Sequence, residues 1–277
     1  MNLSVIRAIF RRNLVSYFSN PTGYVFICVF VLLSGLAAFW PNEFFNANLA
    51  NLDQLNRYLP YILLVFIPAI TMSIWADERR QGTDELLLTI PATDLDVVVG
   101  KYLAAVAIYT IALLFSAVAT IGVLSWLGQP DIGLMLGGYV GYWLVGLAML
   151  AIGMAASFLT GNLTVGFVLG ALFNAPLVFA GSADAILPTE WALRIKQWSL
   201  AEQFRDFGHG VLSLSSFVYF GMIVVVMLYL CVVLIGRRHW RGGYDGQSLA
   251  AHYGIRTAAL AVLAVSLVSL ISRHDVR

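Results

Sequence analysis

Charge is what this sequence has least of: 11% of its 277 residues are Asp, Glu, Lys or Arg, against 60% that are hydrophobic. Soluble domains carry about a quarter charged residues, so a soluble enzyme is nearly excluded. The apolar residues come in unbroken runs and are not patterned onto one face of each element, and lipid is the solvent that suits such runs. Sixteen Lys and Arg offset fifteen Asp and Glu, for a formal net charge of +1 with no long basic block, so nothing points to nucleic acid. Cysteine is also scarce. Cys28 and Cys231 both fall inside apolar runs, which implies neither a disulfide nor a metal site. A cleavable leader is not expected, because Arg7, Arg11 and Arg12 are not followed by a compact apolar stretch ending in small residues.

The motifs of several chemistries are missing too. The phosphate-binding pattern G-x-x-x-x-G-K-[ST] is not met, since Gly100-Lys101 is followed by Tyr102 and position 95 is Leu. His209, His239, His252 and His274 are scattered without ligand spacing, so no metal is expected. No set of Ser, Cys and His suggests a nucleophile with its base. The chain reads as a non-enzyme, with no cofactor of its own.

What is present is a series of charge-free runs. Placing a span wherever about 17 or more residues pass without charge predicts six, at Tyr24–Trp40, Tyr58–Ala76, Tyr102–Leu127, Gly133–Thr160, Thr164–Ala183 and Val211–Gly236, and a shorter seventh candidate at Thr257–Ser272. The fourth and fifth are separated at the turn from Thr160 to Thr164. The expected fold is an all-α, polytopic bundle in a bacterial inner membrane. With the N-terminus inside, the cytoplasmic side receives Arg7, Arg11, Arg12, Arg79, Arg80, Lys101, Arg237, Arg238, Arg241 and Arg256; the outside receives Arg57, Arg194, Lys196, Arg205, Arg273 and Arg277. This asymmetry favours a cytoplasmic N-terminus.

Three regions divide the chain: residues 1–22, the six-span core at 23–238, and a linker with the seventh candidate at 239–277. In the first, Leu3, Ile6, Phe10, Leu14 and Tyr17 share a helical face and Ser4, Arg7 and Arg11 lie towards the other, as in a basic amphipathic helix on the cytoplasmic leaflet, the alternative being a positively charged flank that orients the first span. Pro21 and Gly23 mark the bend into the membrane. In the external loop 184–210, Ser199 with Glu202 forms a capping box, Leu200, Phe204 and Phe207 make an apolar face, and Gly208 and Gly210 end the helix; that face is expected either on the outer membrane surface or packed against the span ends. Asn174 and Pro176 mark a candidate kink along a translocation path.

The charges concentrate in the cytoplasmic loop 77–101. Gly82 ends the helix of the second span, Thr83 caps a short new one with Asp84 and Glu85 in its first turn, Leu86, Leu87 and Leu88 give it an apolar surface, and Pro91 stops it. Thr93 with Asp96 makes a second capping box at the start of the third span. A short helix, acidic at one end and apolar at the other, suits a groove on a soluble partner.

The string Glu78-Arg-Arg-x-Gly82-Thr83-x-Glu85-Leu86-Leu87-x-Thr89-x-Pro91, with Gly100-Lys101 downstream, resembles the signature of type-2 ABC transporter permeases, particularly the gliding-motility branch. Ser19-Asn20-Pro21, Tyr24 and the segment from Ser199 to Gly210 fit it as well. The resemblance implies a six-helix half-transporter, usually an exporter, that pairs with a second permease copy or a homologous permease and is driven by a separate ATPase holding the ATP and Mg. Glu78, Arg79, Gly82, Thr83, Glu85, Leu86 and Leu87 would then touch the ATPase, and Arg7, Phe10 and Arg11 would belong to a connecting helix beside it. A periplasmic or membrane-anchored companion is a further partner of that branch, and the tail beyond Arg241 resembles the start of one.

The charge-free span interiors agree with mechanical coupling, because an ion-coupled carrier needs titrating groups at mid-membrane. A non-transporting scaffold that anchors a soluble or extracytoplasmic partner is the alternative, and a carrier using backbone ligands is the third. Gly137, Gly138, Gly141 and Gly146 predict close helix approach, within one bundle or between two.

Overall fold

The computed structural model describes residues 2–39, 51–82, 92–185 and 188–236, with scattered helical positions between 254 and 266. The described residues form helices without strands: α1 Leu3–Ser19, α2 Pro21–Phe39, α3 Asp53–Gln81, α4 Asp94–Leu127, α5 Ile132–Ser157, α6 Leu163–Phe179, a 3₁₀ turn Ala180–Ala185, α7 Thr189–Lys196, α8 Leu200–Gly208 and α9 Leu214–Gly236. The predicted seventh span, Thr257–Ser272, falls largely outside the described residues.

Among the described residues, five segments, namely α3, α4, α5, α6 with the 3₁₀ turn, and α9, are long and apolar enough to cross a membrane alone. The first of the six predicted spans differs. It corresponds to α2, whose apolar part qualifies only together with α1, from which it is bent by 77°. Asn20 separates the two, and Pro21 opens α2 as its first helical residue, where a missing N–H costs nothing. Gly23 is needed at this corner because a Cβ there would stand 2.6 Å from the Tyr17 carbonyl oxygen.

Local chemistry explains the other boundaries. Asn162 accepts from the amides of Thr164 and Val165 and starts α6, so the uncharged stretch breaks in the turn predicted for it. Asp131 caps α5 by accepting from the Leu134 amide at 3.1 Å. α3, with 29 residues, and α4, with 34, run about 43 and 51 Å at 1.5 Å per residue, well beyond a hydrocarbon layer of about 30 Å. Both overshoot the predicted spans at the end nearest loop 83–91.

At the centre lies α5, packed against α3, α4, α6, α8 and α9. Its glycines admit neighbours within the same chain, which decides between the two arrangements open in the sequence. A Cβ on Gly141 would meet Phe204 and Phe207 at 2.7 Å, one on Gly137 would stand 3.1 Å from the Gly210 Cα, and one on Gly146 would enter the Tyr109 ring. Gly138 faces Leu52 and Asn56.

Helix α8 takes the second of its two expected places. Its apolar face does not rest on the membrane surface, because Leu200, Phe204 and Phe207 are buried and Phe204 stacks on Tyr142 of α5 at 5.2 Å. An aromatic face buries more area against a glycine-notched helix than against lipid headgroups, and the absent side chain at Gly141 leaves the notch. The Ser199 cap is as predicted: its hydroxyl accepts from the Glu202 amide at 3.2 Å.

Candidate coupling site

The two helix ends that border loop 83–91 are both firmly closed. α3 ends at Gly82, whose backbone is left-handed at φ 67°, and whose N–H turns back to the carbonyls of Arg79 and Glu78. Arg79 and Arg80 lie in its last turn, where cations suit the helix dipole. α4 opens with the complete capping box expected at Thr93 and Asp96: the Thr93 hydroxyl accepts from the Asp96 amide, and the Asp96 carboxylate accepts from the Thr93 amide, each at 3.3 Å.

Between these ends sits a cluster of charges. Lys101, on α4, has a side chain only 1% exposed. Its Nζ donates to the Glu78 carboxylate at 2.6 Å and to the Ile74 carbonyl at 2.7 Å, and lies 4.4 Å from the centre of the Trp75 ring. Glu78 spends its other oxygen on Arg12 of α1, also at 2.6 Å. One carboxylate thus joins three helices. A buried ammonium is tolerable only when paired and hydrogen-bonded, and the cation–aromatic contact adds to that.

Contact between α1 and α4 is closer still further along. Ile6 and Ile9 of α1 are buried, and Gly100 of α4 lies so near that a Cβ would stand 3.0 Å from the Ile9 Cβ. The Asn2 amide donates to the Asp96 carboxylate at 3.1 Å, so the residue that caps α4 also receives the start of α1. Where α1 leaves α3 and α4, a crevice of about 640 Å³ remains, lined among others by Arg12, Tyr17, Glu78 and Lys101.

Among the residues singled out from sequence, Glu78 faces inward to α1 and α4, and Arg79 places its guanidinium 4.4 Å from the Phe158 ring at the end of α5. Thr83, Glu85, Leu86 and Leu87 lie outside the described residues. On α1, Arg7, Arg11 and Leu3 are exposed and Phe10 is half-buried. Ile9 joins Ile6 on the side that packs on α4 at Gly100. Asn174 is buried and donates to the carbonyls of Gly170 and Met149. Pro176 lies two residues on, beside an apolar groove of about 490 Å³ between α5, α6 and α9.

Sequence reasoning missed Arg12, Trp75 and the burial of Lys101. A signal existed for the last: a lone Lys at the border of one apolar run, after a Glu closing the run before it.

This architecture can be set beside known proteins. The family described as ABC-2 family transporter protein matches residues 44–235. The chain belongs to that family. It is therefore a multi-pass membrane protein and an ABC permease subunit, and such permeases typically work with an ABC ATPase. No curated protein matches the chain. The ABC-2 match takes in α3, loop 83–91, the charge cluster on α3 and α4, and every helix through α9, while α1 with Arg12 precedes it.

Proposed function

We propose that this ABC-2 chain forms the translocation path of an exporter in a bacterial inner membrane and is driven by a separate ATPase seated on loop 83–91. The observation that carries the reading is the carboxylate of Glu78. The loop leaves α3 four residues after it and returns to α4, and the Arg12–Glu78–Lys101 cluster ties those two helices to each other and to α1. A push on the loop is then shared by the helices at its base and not absorbed as local fraying.

In this reading the N-terminus is cytoplasmic, the partner ATPases close on ATP and Mg, and Thr83, Glu85, Leu86 and Leu87 make the contact. Two bundles, of this chain or of a homologous permease, rock against each other. Arg79 and Glu78 act from behind the contact, and α1 serves as the connecting helix, with Arg7, Phe10 and Arg11 beside the ATPase and Arg12 on Glu78. Membership of the gliding-motility branch, with its membrane-anchored companion, belongs to the same proposal. An ion-coupled carrier gains no support from Lys101, whose ammonium is engaged by Glu78 and Ile74.

The test is co-purification of the detergent-solubilised chain with a Walker-motif ATPase, comparing the wild type with Glu85→Arg and Leu86→Asp. Loss of the ATPase from both variants, with the permease still folded, is the expected result. A wild type that recruits no ATPase, or variants that retain it, would move the scaffold reading to the front.

A further inference from the structure

The C-terminal end of α5 grips α3 just before the coupling site, and it does so twice. The Ser157 hydroxyl donates to the Met72 carbonyl at 3.0 Å and accepts from the amides of Trp75 and Ala76 at 3.2 and 3.3 Å. It is thus inserted into the backbone ladder of α3, the kind of intrusion that locally frees a helix to bend. One residue on, the Phe158 ring stands edge-on to Trp75 at 5.1 Å and lies under the Arg79 guanidinium at 4.4 Å. Both Ser157 and Phe158 are buried.

The stretch of α3 above this grip is weakened independently. Pro68 lacks an amide to donate, and the Thr71 and Ser73 hydroxyls turn back onto carbonyls of their own helix, those of Ile67 and Ile70. Gly153 of α5 abuts Thr71 so closely that any side chain there would collide with it. The end of α3 therefore has a soft segment at 67–76, and α5 holds it there.

From Ser157, α5 runs back without proline to the opposite side of the bundle. There Tyr142 stacks flat on Phe204 of α8, 11° from parallel, and Gly141 and Gly137 leave no gap beneath Phe207 and Gly210. Phe207 in turn meets Phe217 of α9 edge-on at 5.6 Å. The same continuous helix touches the coupling end of α3 at one tip and α8 towards the other.

We propose that Ser157 and Phe158 are positioning residues, forming the joint through which displacement of the α3 end is passed along α5 to the external helix α8. The inference rests on the proposed role of loop 83–91 only for what drives the displacement. The linkage is a property of this chain and is testable without any ATPase.

The experiment is amide hydrogen exchange on the full chain in lipid nanodiscs, comparing the wild type with Ser157→Ala, Phe158→Ala and the control Ser34→Ala, which removes an equally buried hydroxyl between α2 and α4. Coupling energies between linked sites correspond to about fivefold or more. Both joint variants are expected to raise exchange across 202–208 by about that factor while Ser34→Ala leaves it unchanged. By reciprocity, Phe204→Ala is expected to raise exchange at 74–80. Ser157→Ala, which removes one oxygen, serves if Phe158→Ala does not fold. Unchanged exchange in α8 when the α3 end loosens, or an equal rise with Ser34→Ala, would overturn the proposal. Because no ATPase is present, that result would leave the assignment of loop 83–91 standing, and failure of ATPase recruitment would leave this linkage standing.

Discussion

The Glu78 carboxylate holds the Lys101 ammonium at 2.6 Å, joining the last turns of α3 to the second turn of α4 from beneath the loop that connects them. Lys101 is almost wholly buried, Glu78 is 17% exposed, and Arg12 reaches the same carboxylate from a half-exposed position. The two partners of the buried pair are not equivalent. Removing Glu78 takes the carboxylate from a buried ammonium, whereas removing Lys101 leaves Glu78 with Arg12.

Glu78→Gln is therefore expected to destabilise the chain more than Lys101→Met. Breaking a buried pair from one side costs about 3–5 kcal/mol, and a hydrophobic replacement that keeps the volume costs much less. Thermal unfolding in nanodiscs checks this. Equal losses from the two substitutions would mean that Arg12 does not hold Glu78 in the absence of Lys101.

Gly82 stands at φ 67°, and among the described residues nothing lies within 4 Å of a Cβ placed there, so a substitution meets backbone strain. Gly82→Ala is expected to cost about 1 kcal/mol and to raise amide exchange over the last turn of α3, with Gly82→Asn costing less because Asn tolerates the left-handed region. The same exchange experiment reads both. A rise confined to this turn would identify Gly82 as a local stop, and one extending to 74–78 would show that the stop also supports the charge cluster.

Close approach makes the opposite demand on Gly146. Any Cβ there would displace the Tyr109 ring, whose hydroxyl donates to the Tyr142 carbonyl at 2.7 Å. Gly146→Ala is expected to lose about 1–3 kcal/mol through overpacking, and trimming the ring with Tyr109→Leu in the same chain should restore part of it. Folded yield after detergent extraction and the midpoint of thermal unfolding measure the pair. Additive losses would place the clash elsewhere.

Ser34 on α2 and Ser116 on α4 share a buried hydrogen bond of 2.7 Å. The Ser34 hydroxyl also donates to the Val31 carbonyl at 3.0 Å, so Ser34→Ala, which takes this acceptor from Ser116, is expected to cost about 1–3 kcal/mol, Ser116→Ala less, and the double substitution less than the two costs summed. A double-mutant cycle on thermal stability gives the answer directly.

Much of the fold was legible because the bilayer imposes its pattern on the chain. Charge-free runs located α3, α4, α5, α6 and α9, and the caps at Thr93, Asn162 and Ser199 lie where short polar side chains precede apolar runs. The candidate site was legible only in part. Glu78 and Gly82 stood out by motif, but the inward direction of Glu78 depends on Lys101 and Arg12, which are 23 and 66 residues away along the chain. The place of α8 was left open for a related reason. An amphipathic face announces that something apolar will cover it and is silent on whether that is lipid or α5.

The sequence by itself determined that this protein is helical, that it crosses a membrane repeatedly and that its charge gathers in one loop, because each of these follows from the local cost of placing polar groups in hydrocarbon. Only the tertiary structure decided that α1 docks on Gly100, that the α5 glycines serve one bundle, and that Glu78, Lys101 and Arg12 meet. Those outcomes depend on the relative depth and rotation of whole helices, which are set by the fit of surfaces far apart in the chain and leave no periodic trace in any one of them.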